Sequence, residues 1–263
     1  MQPPDEAANA TVSKLWVGSL VCVVIAVIGT LTSLLVRYVP AASPHLQFTM
    51  SALTVPGDVV RMLRADRPLM GALFASCVFW LVAGVAHPTV NSLGKRQLGL
   101  SDQSTSLLAA SVAIGIALGA VLAGRLSRGR TDFRVMRLGG WGLIAMLLVL
   151  SLPGSHHGQL LGFSGSLPAL IVLGMCAGMY AIPLQVFMQA RPPDGQKGRM
   201  IAVMNQANWV AILLSAVVYW LFDQIVVSLG WNRSPIFAMT AVVMLPALLL
   251  YRPDNTVVEK PRC

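Results

Sequence analysis

Seven stretches of the chain are apolar over most of their length, with polar or basic segments between them: residues 15–36, 69–90, 105–124, 138–152, 167–190, 200–222 and 234–251. Within each stretch the apolar residues follow one another without alternating. The period of two that marks a strand with one polar face is therefore absent. A helix crosses the hydrocarbon core of a bilayer with about 20 residues. No water is present there to satisfy free N–H and C=O groups, so runs of this kind are expected to close their own backbone bonds as helices. The expected fold class is an all-α polytopic membrane protein with about seven transmembrane helices. The fourth run is expected to be the shortest, and Gly139-Gly140-Trp141-Gly142 blurs where it begins.

The polar intervals divide the chain into a polar tail at residues 1–13, a first transmembrane helix at 14–38, a linker at 39–68, a six-helix bundle at 69–252 and a tail at 253–263. The linker holds Pro40, Pro44 and Pro56, which interrupt any long helix. Residues 55–67 read as a short helix with Pro56 near its start, Asp58 in the first turn and Arg61, Arg64 and Arg67 later. Val59, Val60, Met62 and Leu63 give it an apolar side. Two readings stand: a helix lying in the cytoplasmic membrane interface, and a solvated linker helix.

The six later spans form two groups of three, and such a group repeated with inverted topology builds many transporters. No clear sequence identity relates the two groups. Gly115 and Gly119 stand four apart with Ala123 following, and Gly174 and Gly178 repeat the spacing. Small residues at this interval let helix backbones approach, and packing within one bundle is preferred here to dimerisation. Pro88, Pro183 and Pro246 lie in or at the ends of spans. Pro183, shortly after Gly178, is the candidate hinge.

Composition sharpens this picture. Of 263 residues 56% are hydrophobic and 11% charged, against about 25% charged in soluble domains. The mean hydropathy is +0.70. A soluble enzyme, a disordered tail protein and a disulfide scaffold are excluded. The formal net charge of +9 would suit a nucleic-acid partner, until the basic residues are sorted by loop. Fifteen of the 19 fall on one side of the spans: Arg37, Arg61, Arg64, Arg67, Arg125, Arg128, Arg130, Arg134, Arg137, Arg191, Lys197, Arg199, Arg252, Lys260 and Arg262. Only Lys14, Lys95, Arg96 and Arg233 fall on the other. Lys and Arg are retained in the cytoplasm, so the amino terminus is expected outside and the carboxyl terminus inside, with no nucleic acid as partner. The first span exceeds the roughly 7–15 apolar residues of a signal peptide, although Ala41-Ala42-Ser43 is loosely cleavage-like.

Candidate chemistry is sparse. There is no phosphate-binding loop. Cys22, Cys77, Cys176 and Cys263 show no CxxC pairing and read as packing thiols. His156-His157 offers too few ligands for a metal. The histidine-to-aspartate spacing of glycerolipid acyltransferases occurs at none of the four histidines. No enzyme activity, cofactor or metal is expected. Polar groups inside spans are costly and face a bundle interior or a water cavity. The candidates for a substrate path are His87 with Asn91, Gln185 with Gln189, and Asn205, Gln206 and Asn208. Each set serves equally well as interhelical hydrogen bonding. Asp223 reads as the only carboxylate near a span, and no buried proton relay is evident.

Several motifs resemble a known family. Arg64-Ala65-Asp66-Arg67-Pro68-Leu69, followed by Phe79-Trp80, resembles the entry to the seventh helix of lysophospholipid transporters of the major facilitator superfamily. Leu98-Gly99-Leu100-Ser101-Asp102-Gln103-Ser104-Thr105-Ser106-Leu107-Leu108 is similar to their entry to the eighth, and residues 112–124 to the glycine-rich helix that follows. Residues 174–189, with Gly178, Pro183, Leu184 and Gln189, resemble the tenth helix, and residues 205–208 the polar start of the eleventh. The resemblance covers about residues 15–251 and extends to the transporter part of bacterial acyltransferase fusions. Residues 124–130 look like a degenerate Gly-Arg loop, with Ser127 where the signature has Asp; Arg125, Arg128 and Arg130 keep its basic part, which plain positive-inside charge also explains.

The resemblance implies twelve spans, of which these seven correspond to the sixth through twelfth, so a carboxyl-terminal portion of a transporter is expected. It implies alternating access about a midplane site, a bacterial inner-membrane location, and membrane lipid and a small amphipathic substrate such as lysophospholipid as partners. The absent amino-terminal half or another chain would complete it. The alternatives are a facilitator of another solute, such as a drug or sugar, and a transport-inactive membrane fragment. A membrane-embedded enzyme is disfavoured by the lack of buried His, Asp or Glu clusters.

Overall fold

The computed structural model describes residues 4–37, 55–127, 132–154 and 159–251. The chain divides into two compact units, residues 1–50 and 51–263. The first holds one helix, α1 (Pro4–Ser33), whose apolar part is Trp16–Ser33. Thr30 and Thr32 donate their hydroxyls to the carbonyls of Ala26 and Ile28, four residues back. These polar side chains are thereby satisfied inside their own helix. α1 also takes in most of the tail expected at residues 1–13.

The second unit runs through α2 (Gly57–Ala65), α3 (Arg67–Ser92), a π-helical turn at Leu93–Gln97, α4 (Asp102–Ser127), α5 (Phe133–Ser151), α6 (Gly162–Ala190), a short 3-10 turn at Asp194–Gln196, α7 (Lys197–Ser228) and α8 (Pro235–Leu250). No β-strand is present among the described residues, only one isolated bridge between Pro153 and Gln159. Helices α1, α3, α4, α5, α6 and α7 are long and apolar enough to cross a membrane, and α8 is a shorter apolar helix. The protein is an all-α polytopic membrane protein.

Two boundaries differ from expectation. The shortest span is α8, with 16 residues, or about 24 Å at 1.5 Å per residue. The fourth run is a 19-residue helix that begins at Phe133 and passes through its glycines. The reason is tertiary. A Cβ on Gly139 would lie 2.7 Å from the Cys176 carbonyl oxygen and the Tyr180 nitrogen of α6, and one on Gly140 would strike Leu248 of α8. The glycines that suggest a helix boundary are where two neighbours press in.

The packing has an exchange symmetry. α4 lies along α6 as α7 lies along α3; α5 packs on α6 as α8 packs on α3; α5 meets α8, and α3 meets α6. Swapping the triple α3-α4-α5 with α6-α7-α8 maps this set of contacts onto itself. Each triple thus makes the contacts that the other makes, the pattern that a repeat of three helices would give.

Within the bundle Tyr180 is fully buried, stacks on Phe79 at 5.5 Å and donates its hydroxyl to the Ala75 carbonyl. The two glycine pairs interlock with each other. Gly115 and Gly119 of α4 press on the backbone of Ile171 and Met175, while Gly174 and Gly178 of α6 press on that of Val112 and Ile116. Both pairs are spent on packing within one bundle. α2 buries Val59 and Leu63 in the same core and exposes Arg61 and Arg64. Val60 and Met62 on the same side are half-buried, so the apolar side of α2 is turned in part onto the bundle.

Candidate functional site: a cleft between α3 and α4

A cleft of about 280 Å³ opens between α3 and α4. Its α3 wall is Phe79, Val82, Ala83, Ala86, His87 and Val90, and its α4 wall is Ala109, Val112, Ala113 and Ile116. Leu143 and Leu147 of α5 with Leu173, Gly174 and Ala177 of α6 form the floor. All five floor residues are buried, whereas Ala109, Ala113 and Ile116 of α4 and His87 of α3 are exposed along the opening.

The local sequence explains the space. The glycine crossing draws α4 against α6, so Ile116 and Gly174 belong to both the crossing and the cleft. α3 does not follow α4 in, and the alanines at 83, 86, 109 and 113 are too small to fill the gap between them. His87 is the only polar residue among those lining the cleft.

The structure does not gather the sequence candidates into one cluster. His87 lines the cleft, and Asn91 lies one turn further along α3, exposed. Asn208 is buried between α7 and α3, where it accepts the Ser76 hydroxyl at 2.9 Å with the Cys77 sulfur at 3.9 Å. That is an interhelical bond of the kind that holds bundles together. Asn205 and Gln206 are exposed on the opening turns of α7, so the shared face expected for Asn205 and Asn208 is split between surface and interface. Gln185 is half-buried and Gln189 exposed near the end of α6. Pro183 and Gly178 are both buried, and Gly178 is pinned against α4. Arg125 is exposed in the last turns of α4, while Arg128 and Arg130 lie outside the described residues, as do His156 and His157.

The sequence reading missed two features. The first is the apolar wall and floor of the cleft, which read as ordinary core. Only the clustering of alanines on two helices hinted at a space. The second is a set of ion pairs at the helix ends. Asp66 accepts the backbone N–H of Leu69, capping α3, and its other oxygen accepts from Arg191 Nε at 2.9 Å. Arg191 also sits 5.8 Å over the Phe187 ring. The pair joins the entry of α3 to the exit of α6, the first helices of the two triples. At the opposite end Asp223 of α7 pairs with Arg233 at 2.6 Å, Lys95 pairs with Asp102, and Gln97 exchanges hydrogen bonds with Ser234. Asp223 is thus not the only carboxylate beside a span: Asp66 and Asp102 also stand at helix entries. Asp58 of α2 pairs with Arg199 of α7. Desolvation works against ionisation of Asp58, and the hydrogen bond and charge of Arg199 outweigh it, so its carboxyl lies below the ordinary 3.8.

The profile of the Major Facilitator Superfamily matches residues 12–216. Among curated proteins, the chain is 28% identical over 206 residues to a lysophospholipid transporter LplT of Serratia proteamaculans, covering 76% of this chain and 49% of that protein. It is 26% identical over 260 residues to the transporter of the same name from Escherichia coli O157:H7, covering 89% and 62%. The counterpart from Photorhabdus laumondii is 34% identical over 149 residues, covering 54% and 35%. The chain thus spans about half the length of the first of these relatives and about three-fifths of the second. No solved structure matches.

Proposed function

The chain belongs to the Major Facilitator Superfamily, and from that premise we propose that it serves to move an amphipathic lipid, lysophospholipid in the first place, across a bacterial inner membrane. The observation that carries this reading is the cleft: apolar along its walls and floor, with one polar residue, His87, at its opening. A sugar would need several hydrogen-bond partners around it, since each buried hydroxyl left unpaired is costly. A hydrocarbon tail with one polar end needs only what this cleft offers. The lysophospholipid transporters to which the chain is similar point to the same substrate class.

The mechanism is alternating access, in which this bundle rocks against a second half around a midplane site. The relatives are longer than this chain, and the second half in this reading lies outside residues 1–263. Asn91, Gln185, Gln189, Asn205 and Gln206 face the substrate path in this reading. Pro183, one turn beyond the point where Gly178 is pinned against α4, is where α6 bends in this reading. The amino terminus faces outward and the carboxyl terminus the cytoplasm, which places the basic residues around Arg125 among anionic headgroups. Vesicles containing the chain, offered fluorescent lysophosphatidylethanolamine, test the proposal. Protein-dependent uptake that unlabelled lysophospholipid competes away is expected. Uptake no greater than in empty vesicles refutes it for this chain.

A further inference from the structure

We infer that the cleft between α3 and α4 is the seat of a single acyl chain, held with its phosphate-bearing headgroup at the His87–Asn91 end. The inference rests on the lipid-transport reading and assigns the parts of that substrate to places in this bundle.

Length is the first argument. The α3 wall runs from Phe79 to Val90, about 17 Å at 1.5 Å per residue. That is roughly half of the 30 Å hydrocarbon core, the depth that one acyl chain occupies in one leaflet. Width is the second. The volume of about 280 Å³ lies just under the roughly 300–1,000 Å³ of typical ligand pockets. One slender chain suffices to fill a space of that size between the two walls. The floor is sealed at Gly174 by the glycine crossing, whose backbones cannot part without losing the α4–α6 interface. The depth available to an occupant is therefore fixed.

Charge is the third argument. The interior offers a hydrocarbon tail no unpaired polar group, and the polar residues follow one another out of one end. His87 is exposed at the opening and Asn91 is exposed one turn on. Beyond them the π-helical turn carries Lys95 and exposed Arg96. Lys95 is paired with Asp102, which leaves the positive charge of Arg96 in excess at this end. A lysophospholipid has the complementary order: one apolar chain, a glycerol hydroxyl, then an anionic phosphate. Phosphate binds well to arginine.

The test is photolabelling of the full chain in vesicles with two lysophosphatidylethanolamines. One carries a diazirine at the end of its acyl chain and the other carries it on the headgroup. The chain-end probe is expected on floor residues such as Leu147 and Leu173, and the headgroup probe between His87 and Arg96. Unlabelled lysophosphatidylethanolamine is expected to compete, and diacyl phosphatidylethanolamine is not. Ala113→Trp, on the exposed wall of α4, is expected to fill the cleft and reduce chain-end labelling roughly tenfold while helix content is unchanged.

Labels scattered on other helices, equal competition by the diacyl lipid, or a cleft occupied by a helix of another chain each overturn the inference. If Ala113→Trp does not fold, the positions of the two labels decide. Uptake measured on the same vesicles separates the two claims. Uptake with labels outside the cleft removes the cleft and leaves transport. Labels inside the cleft without uptake remove transport and leave the cleft.

Discussion

Gly178→Ala tests the contact on which both the bundle and the cleft depend. A Cβ there would lie 2.5 Å from the Ile116 carbonyl oxygen and 2.8 Å from the Ala120 nitrogen, where ordinary contact begins at 3.4 Å. Relief requires a separation of about 0.9 Å, and the obstacles are α4 backbone atoms, which cannot rotate away as a side-chain tip would. A gap of 0.5–1 Å forfeits about a quarter to a half of the attraction of every atom pair it opens. Overpacking of this kind costs about 1–3 kcal/mol, and a rigid obstacle places it toward the upper end. Against this, alanine gains about 1 kcal/mol of helix propensity over glycine. The net expectation is a loss of about 2 kcal/mol. Gly124→Ala is the control: it lies on α4, nothing stands within 4 Å of its Cβ position, and it should be neutral or stabilise by up to about 1 kcal/mol. Unfolding by SDS titration in mixed micelles, followed by circular dichroism, measures both. If Gly178→Ala is as stable as the unaltered chain, or shifts in the same direction as Gly124→Ala, the interlocked crossing does not hold the bundle.

Three further outcomes are expected. Asn208→Leu removes the acceptor of the Ser76 hydroxyl, and a double-mutant cycle with Ser76→Ala should give a coupling of about 0.6–1.7 kcal/mol; zero coupling would make Asn208 energetically idle. Asp66→Ala loses both the α3 cap and the Arg191 pair, whereas Asp66→Asn keeps an oxygen for the cap, so the first should cost about 1 kcal/mol more than the second in the same titration. The Asp58 carboxyl lies below its ordinary 3.8 because of Arg199. A lowered folded pKa means that the α2–α7 contact is intact above 3.8 and is lost as pH falls through the folded value. Hydrogen exchange in α2 should therefore rise on acidification, and Arg199→Gln should remove that dependence.

Much of the architecture was legible without coordinates because the bilayer imposes a local rule. A backbone that finds no water must close its own hydrogen bonds, so apolar run length alone marks the helices, and the two groups of three follow from counting them. Gly139 and Gly140 show where a local rule fails. By propensity they weaken a helix start, yet α6 and α8 need their missing side chains. The site was harder still. Seven polar residues drew attention because polarity is costly in a membrane, and the fold dispersed them: Asn208 into the α3–α7 interface, Asn205 onto the α7 surface, and His87 into the cleft wall.

The sequence by itself determined the membrane class, the approximate positions of the apolar helices, and the sorting of basic residues by loop, all of which are sums over neighbours in the chain. Only the tertiary structure decided that the two glycine pairs meet each other, that Asp66 finds Arg191 across 125 residues, and that a cleft opens beside His87. A void is defined by what four helices fail to fill, and no single stretch of sequence carries that information.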